Sequence, residues 1–297
     1  FAGQYALLLM ARLVESVAPM AIVVAVPTLI LSLCAAKDKP RVMAVWSCYF
    51  TVTFILAALC LPSLLEMSGW RGIAASHAAL MLVVGLLCLG IPKSKLQSST
   101  AQRRAALSTK SLLHAQWRLL RQGKLLAIPA TFFGYTLLFV ALVSALPRLL
   151  SGTQQESSAL AMALPVASLV GTLLSLAALS RGMTGHRLVR ISAAALVLAG
   201  LGLMFTPAYG QPTQSVVLVC FVLLGTLPAG IISSIPALFK AGDPDITLVN
   251  GGLVQFGNLG NFVGAPILAA MLLKWGWVSI GAYLLAGGLI VSVCLLF

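Results

Sequence analysis

Apolar runs long enough to cross a bilayer recur along the whole chain, and they constrain the fold before any single residue does. An α-helix rises about 1.5 Å per residue, so roughly 20 apolar residues cover a hydrocarbon core about 30 Å thick. Nine such runs can be marked, at 5–33, 42–66, 70–92, 124–149, 157–180, 187–207, 213–239, 247–273 and 276–297. Only 8% of the 297 residues are charged, and the mean hydropathy is +1.04. A soluble domain carries about 25% charge. Inside lipid, backbone groups must be satisfied internally, which leaves helices or a closed barrel. A barrel needs alternating segments of about 10 residues, and the sequence holds none. The chain reads as an all-α, polytopic membrane protein with the bilayer as its first partner.

The net charge of +13 does not point to nucleic acid, because the basic residues are gathered in a few connections between spans. Lys93, Lys95, Arg103, Arg104, Lys110, Arg118, Arg121 and Lys124 crowd the longest connection, 93–123, and its edge, which holds no acidic residue. The positive-inside rule makes that linker cytoplasmic. Alternating from there puts Lys37, Lys39, Arg41, Arg181, Arg187, Arg190 and Lys240 inside, against Arg71, Arg148 and Lys274 outside. Nine spans then leave the N-terminus of the chain extracytoplasmic and its C-terminus cytoplasmic, in an inner or plasma membrane. Within the linker, residues 108–122 form an amphipathic pattern, with Lys110, His114, Arg118 and Arg121 on one face and leucines opposite. Such a helix is suited to the cytoplasmic leaflet and anionic lipid.

The six cysteines, Cys34, Cys48, Cys60, Cys88, Cys220 and Cys294, are scattered singly through apolar segments. With no CxxC and no clustered histidines, neither a disulfide framework nor a metal site is expected, and no cofactor is implied. No HExxH pattern or nucleophile–base pair occurs within a span, which argues against an intramembrane enzyme. The chain opens on Phe1 almost directly in a span, which reads as a sequence lacking an N-terminal part.

An internal repeat organises the rest. At an offset of 209 positions, "VAPMAIVVAVPTLI" (17–30) aligns with "TLPAGIISSIPALF" (226–239), pairing Pro19 with Pro228, Ile22 with Ile231, Pro27 with Pro236 and Leu29 with Leu238. After a small shift, Gly69-Trp70 corresponds to Gly276-Trp277. Tandem helix triplets of this kind are a transporter arrangement. Prolines within a membrane helix free carbonyls and bend it, so Pro19, Pro27, Pro228 and Pro236 are candidate gating kinks, with simple packing as the alternative.

The repeat also isolates what is not shared. Arg12 and Glu15 align with Phe221 and Leu224, so this charged pair is an addition to the scaffold. Three positions apart on a helix, the two can meet on one face. Charge within a span costs several kcal/mol by insertion scales (about 2.5–3.5 each) and usually marks a pathway. Two readings stay open: a self-neutralising structural pair, or a cavity-facing site. In the second, Arg12 holds an anionic group or tunes a carboxylate, and Glu15 binds and releases protons.

"LLLMARLVESVAP" (7–19), the basic linker, the paired Gly-Trp steps and the Pro-rich equivalent helices together resemble the major facilitator superfamily. Arg12 and Leu8 match the Arg-x-x-Gln-Gly signature of the family's fourth helix and its upstream leucine. Glu15 stands for the usual glutamine and Ser16 for the usual glycine. The loop "LSRGMTGHRLVR" (179–190) is faintly similar to the family's Gly- and Arg-rich cytoplasmic loop but lacks its aspartate.

The resemblance implies nine of an expected twelve helices, with the first triplet absent. Residues 1–92 would form the second half of the N-terminal six-helix bundle, 93–123 the linker, and 124–297 a complete C-terminal bundle. It further implies alternating access around a central site lined by the helices at 5–33, 124–149 and 213–239. Thr131, Tyr135, Ser233 and Ser234 are then candidate cavity-lining residues. Each also has an ordinary role, since Ser and Thr bond back to helix carbonyls and Tyr packs in interfaces. His77 reads as satisfied by a neighbour rather than as a coupling group. On the helix 247–273, Gly257, Gly260 and Gly264 form a small-residue stripe beside Asn258 and Asn261, with Asn250 and Gln255 nearby. The resemblance assigns this helix to the interface between halves, so packing is favoured for these residues over substrate contact.

The functional expectation is secondary active transport of a small molecule by a monomer, coupled to protons, as antiporter or symporter. Efflux of amphipathic compounds and transport of a small organic anion remain alternatives. A transport-incompetent fragment with a structural or interaction role is the reading from another class.

Overall fold

The computed structural model describes residues 38–90, 109–208, 210–239, 243 and 245–294, with twelve positions between 5 and 35. Eight helices are seen among them. In chain order they are α1 (Lys39–Leu89), α2 (Thr109–Arg121), α3 (Gly123–Leu149), α4 (Gln154–Ser180), α5 (Gly185–Leu203), α6 (Gln211–Leu238), α7 (Asp245–Trp275) and α8 (Val278–Cys294). The described positions from Tyr5 to Ile30 are helical as well. The fold class expected from the apolar runs is the one observed.

α1 is broken at Gly69, whose φ of 62° and ψ of −177° divide it into arms 39–68 and 70–89. Gly276, the repeat counterpart between α7 and α8, has a φ of 58°. An L-residue with a side chain is disfavoured at such a φ, which accounts for glycine at both steps. The Gly-Trp repeat is therefore a repeat of backbone geometry as well as of letters.

Helices α3–α8 form a tight bundle. α3 packs most extensively on α7, α4 on α6, and α5 on both α6 and α8. Lipid chains are as apolar as leucine, so hydrophobicity alone does not drive these contacts; close approach at small residues does. A Cβ on Gly260 would lie 2.7 Å from the Phe133 carbonyl oxygen, and one on Gly264 2.6 Å from that of Leu137. α7 thus lies backbone to backbone on α3. The Tyr283 hydroxyl sits where α3, α7 and α8 meet, within 2.8 Å of the Leu137 oxygen and 3.0 Å of the Gly264 oxygen. Buried polar side chains here are Ser and Thr, most of which bond to helix carbonyls or to a neighbouring helix, Ser168 excepted. Thr172 donates to the Gly225 oxygen at 2.9 Å, and the Ser192 and Thr226 hydroxyls are 2.5 Å apart.

The first arm of α1 reaches this bundle through α4 and α6. The amphipathic helix α2 docks on α3 and α7: Leu119 is fully buried and Arg118 pairs with Asp245 at the start of α7. Leu113, Trp117 and Leu120 form its open face, and Arg121 stacks over Trp117 at 4.9 Å. One of the basic residues expected at the lipid surface is therefore turned inward to an aspartate.

Candidate functional site

A cavity of about 500 Å³ lies where the first arm of α1 meets α3, α6 and α7. Met43, Trp46, Ser47, Tyr49 and Phe50 come from α1, Phe132, Tyr135 and Thr136 from α3, and Pro228 and Ile232 from α6. α7 adds Asn250, Leu253, Val254, Gly257, Asn258, Asn261 and Phe262. These positions lie towards the start of α1, α3 and α7 and the end of α6, so the cavity occupies the linker-side half of the bundle.

Helical spacing builds each wall. Trp46, Phe50 and Phe54 recur every four residues and so share one face of α1. Their rings continue into the bundle: Phe50 and Phe54 lie 5.6 and 5.5 Å from Phe139, which is 5.7 Å from both Tyr135 and Phe221. These offset and edge contacts, each worth about 0.5–1.5 kcal/mol beyond burial, join the two regions of the chain through aromatic rings. On α7, Gly257 lets Phe132 approach, a Cβ there falling 2.7 Å from that ring. The neighbouring Asn258 and Asn261 line the same cavity. The Oδ1 of Asn261 is buried and takes no hydrogen bond among the described residues.

The candidates named from sequence are distributed unevenly around this site. Tyr135 and Pro228 line the cavity, as do Asn258 and Asn261. Thr131 is fully buried and donates to the Ala127 oxygen at 2.7 Å, away from the cavity lining. Ser233 and Ser234 donate to the Gly230 oxygen at 3.0 and 2.8 Å and border Gly185 of α5. Gly257, Gly260 and Gly264 pack against α3, with Phe132, Thr136, Phe133 and Leu137. Arg12, Pro19 and Pro27 lie outside the described residues, and of Pro236 only the helical backbone is described. Glu15 stands apart from the cavity lining, with its Oε1 3.8 Å from Nδ1 of His77 on the second arm of α1. Trp46, Tyr49, Phe50, Phe132 and Phe262 are not among the sequence candidates; the spacing of rings along 42–66 is a signal for the first three, and none marks Phe132 or Phe262.

Among the described residues no cluster of His, Cys, Asp or Glu suited to a metal ion is formed. The arrangement offers ring faces, amides and hydroxyls around a space sized for a small molecule.

Comparison with known proteins agrees with this architecture. The solved structure of the Escherichia coli fucose:proton symporter is similar in fold, with a TM-score of 0.65 and 16% identity, over 93% of this chain and 72% of that one. No curated protein matches. The model of the Major Facilitator Superfamily matches residues 1–246. The chain, a multi-pass helical membrane protein, belongs to the Major Facilitator Superfamily.

Proposed function

We propose that the protein moves a small molecule across a membrane by alternating access, with the cavity between the first arm of α1 and helices α3, α6 and α7 as its binding site. The observation that carries this is the position of the cavity. It lies between two regions that contact each other through side chains, α1 on one side and the bundle on the other, so relative movement of the two would open or close it. The Gly69 and Gly276 steps and the Pro228 position in the cavity wall supply places where such movement can bend the chain. The distribution of Lys and Arg favours a plasma or inner membrane with residues 93–123 and the C-terminus on the cytoplasmic side, and the protein acts as a monomer.

Proton coupling is assigned to Glu15, with Arg12 as the cation that tunes it. Glu15 lies within an apolar segment, and the titratable imidazole of His77 is at 3.8 Å. The place of Glu15 outside the cavity lining makes the coupling indirect: protonation changes how the first helices pack, and the cavity follows.

Two measurements test this. A cysteine at Ser47, in a chain whose native cysteines are replaced, should react with an impermeant maleimide from either face of sealed vesicles; reaction from one face alone excludes alternating access. For a transported solute, Glu15→Gln should retain exchange across the vesicle and lose accumulation driven by a pH gradient. Full accumulation in that variant removes Glu15 from the coupling.

A further inference from the structure

The cavity joins two features: walls of aromatic rings and a line of neutral amides. Among the described residues lining it there is no Asp, Glu, Lys, Arg or His. Against the described lining a charged ligand would shed its hydration without gaining a counter-charge, and burying an unpaired charge is strongly disfavoured. Trp46, Tyr49, Phe50 and Phe132 offer ring faces, which pack best against a flat apolar or aromatic group. Opposite them, Asn250, Asn258 and Asn261 share one face of α7 and extend about 16 Å along its axis.

The amides give direction to the site. An asparagine side chain carries both a donor and an acceptor. The Asn261 acceptor is buried and takes no hydrogen bond among the described residues, a state that is costly unless a partner arrives. The helix glycines that flank it, Gly257 and Gly260, are held against α3, so the amide face is fixed towards the cavity rather than free to rotate with the helix.

We propose that the cavity selects an uncharged molecule with a flat ring system and at least one hydrogen-bond donor, taken up between the α1 rings and the α7 amides. This deepens the transport reading above and rests on it. It favours a neutral molecule over the small organic anion left open by the sequence, and Asn261 is the residue that sets the preference.

A matched set of probes isolates charge from shape: 2-naphthylacetamide, 2-naphthylacetate and 2-(2-naphthyl)ethylammonium, titrated calorimetrically into the full chain in detergent and followed for uptake into proteoliposomes. The neutral amide should bind about tenfold or more tightly than either ion, as a hydrogen bond and an avoided charge burial together require. Asn261→Leu should remove most of that advantage. Asn261→Asp should invert it, favouring the ammonium over the amide. That gain of binding cannot come from misfolding. Equal or tighter binding of either ion to the unmodified protein overturns the proposal, as does binding of none of the three, or an Asn261→Asp variant that keeps the neutral preference. Neutral-selective binding without uptake would instead overturn the transport reading and leave the selectivity standing, so the two failures are distinguishable.

Discussion

The second arm of α1 and helix α3 are similarly apolar, yet they lead opposite lives. From residue 70 to 89 no residue is buried, while α3 buries side chains along nearly its whole length, Tyr135 and Phe139 among them. What separates them is the shape of their neighbours. α3 is approached at Gly257, Gly260 and Gly264 of α7 and Gly287 of α8, where missing side chains let a ring, a carbonyl or a leucine close in. Gly85, in the arm 70–89, meets nothing within 4 Å. Apolarity places a helix in the membrane; small residues in register decide whether another helix packs on it.

That contrast predicts the largest effect on stability. At Gly225 of α6 an added Cβ would meet the backbone of Ser168 on α4. Backbone cannot step aside as a flexible side chain can, so Gly225→Leu should cost about 3 kcal/mol or more and lower the yield of folded protein. Gly85→Leu should fall within about 0.5 kcal/mol of the unmodified chain. Denaturation in mixed micelles, followed by circular dichroism and gel filtration, reads both. Similar losses at the two sites would break the distinction between the packed bundle and the open arm.

A smaller effect sharpens the comparison, because here the two regions should behave alike. Gly69 and Gly276 share a positive φ, and a Cβ added at either would meet no atom within 4 Å. The cost of Gly69→Ala or Gly276→Ala is thus conformational strain alone, about 1–3 kcal/mol at each site. Midpoints from the same denaturation should shift by comparable amounts. A large penalty at one step and none at the other would mean that the matching positive φ is not a shared device of the repeat.

The pattern of what could be read from the letters follows from the same physics. Spans, the Gly-Trp steps and the glycine stripe of α7 are local or periodic, and the helix imposes its geometry on them directly. The cavity is not local: Trp46, Phe132 and Asn261 belong to three helices, and no spacing links them. The sequence groups Asn258 and Asn261 with the glycines beside them as one packing surface. In the fold, Gly260 and Gly264 lie against the α3 backbone, while Asn258 and Asn261 line the cavity and Gly257 touches both. The repeat was more informative about its differences than its contacts. Phe221, the counterpart of Arg12, is buried against Phe139 at 5.7 Å, an aromatic position in one half where the other half carries a charge.

The smallest expected effect concerns the helix that connects the two regions. α2 follows the open arm in sequence but docks on the packed bundle, and two contacts could hold it there. Leu119, fully buried beside Gly252, supplies apolar packing at a site where a Cβ on that glycine would fall 2.7 Å from the leucine. Arg118 supplies charge, paired with Asp245 in the first turn of α7, where a carboxylate is also favoured by the helix dipole. Both charged side chains keep part of their contact with solvent, 42% and 25% of their surface, so the Coulomb gain is screened. A double-mutant cycle of Arg118→Ala and Asp245→Ala should therefore give a coupling below about 1 kcal/mol. It should shrink further between about 0.1 and 1 M salt, as the screening length falls from about 10 to 3 Å. A coupling that is larger and indifferent to salt would mean that charge, not Leu119, fastens the linker to the bundle.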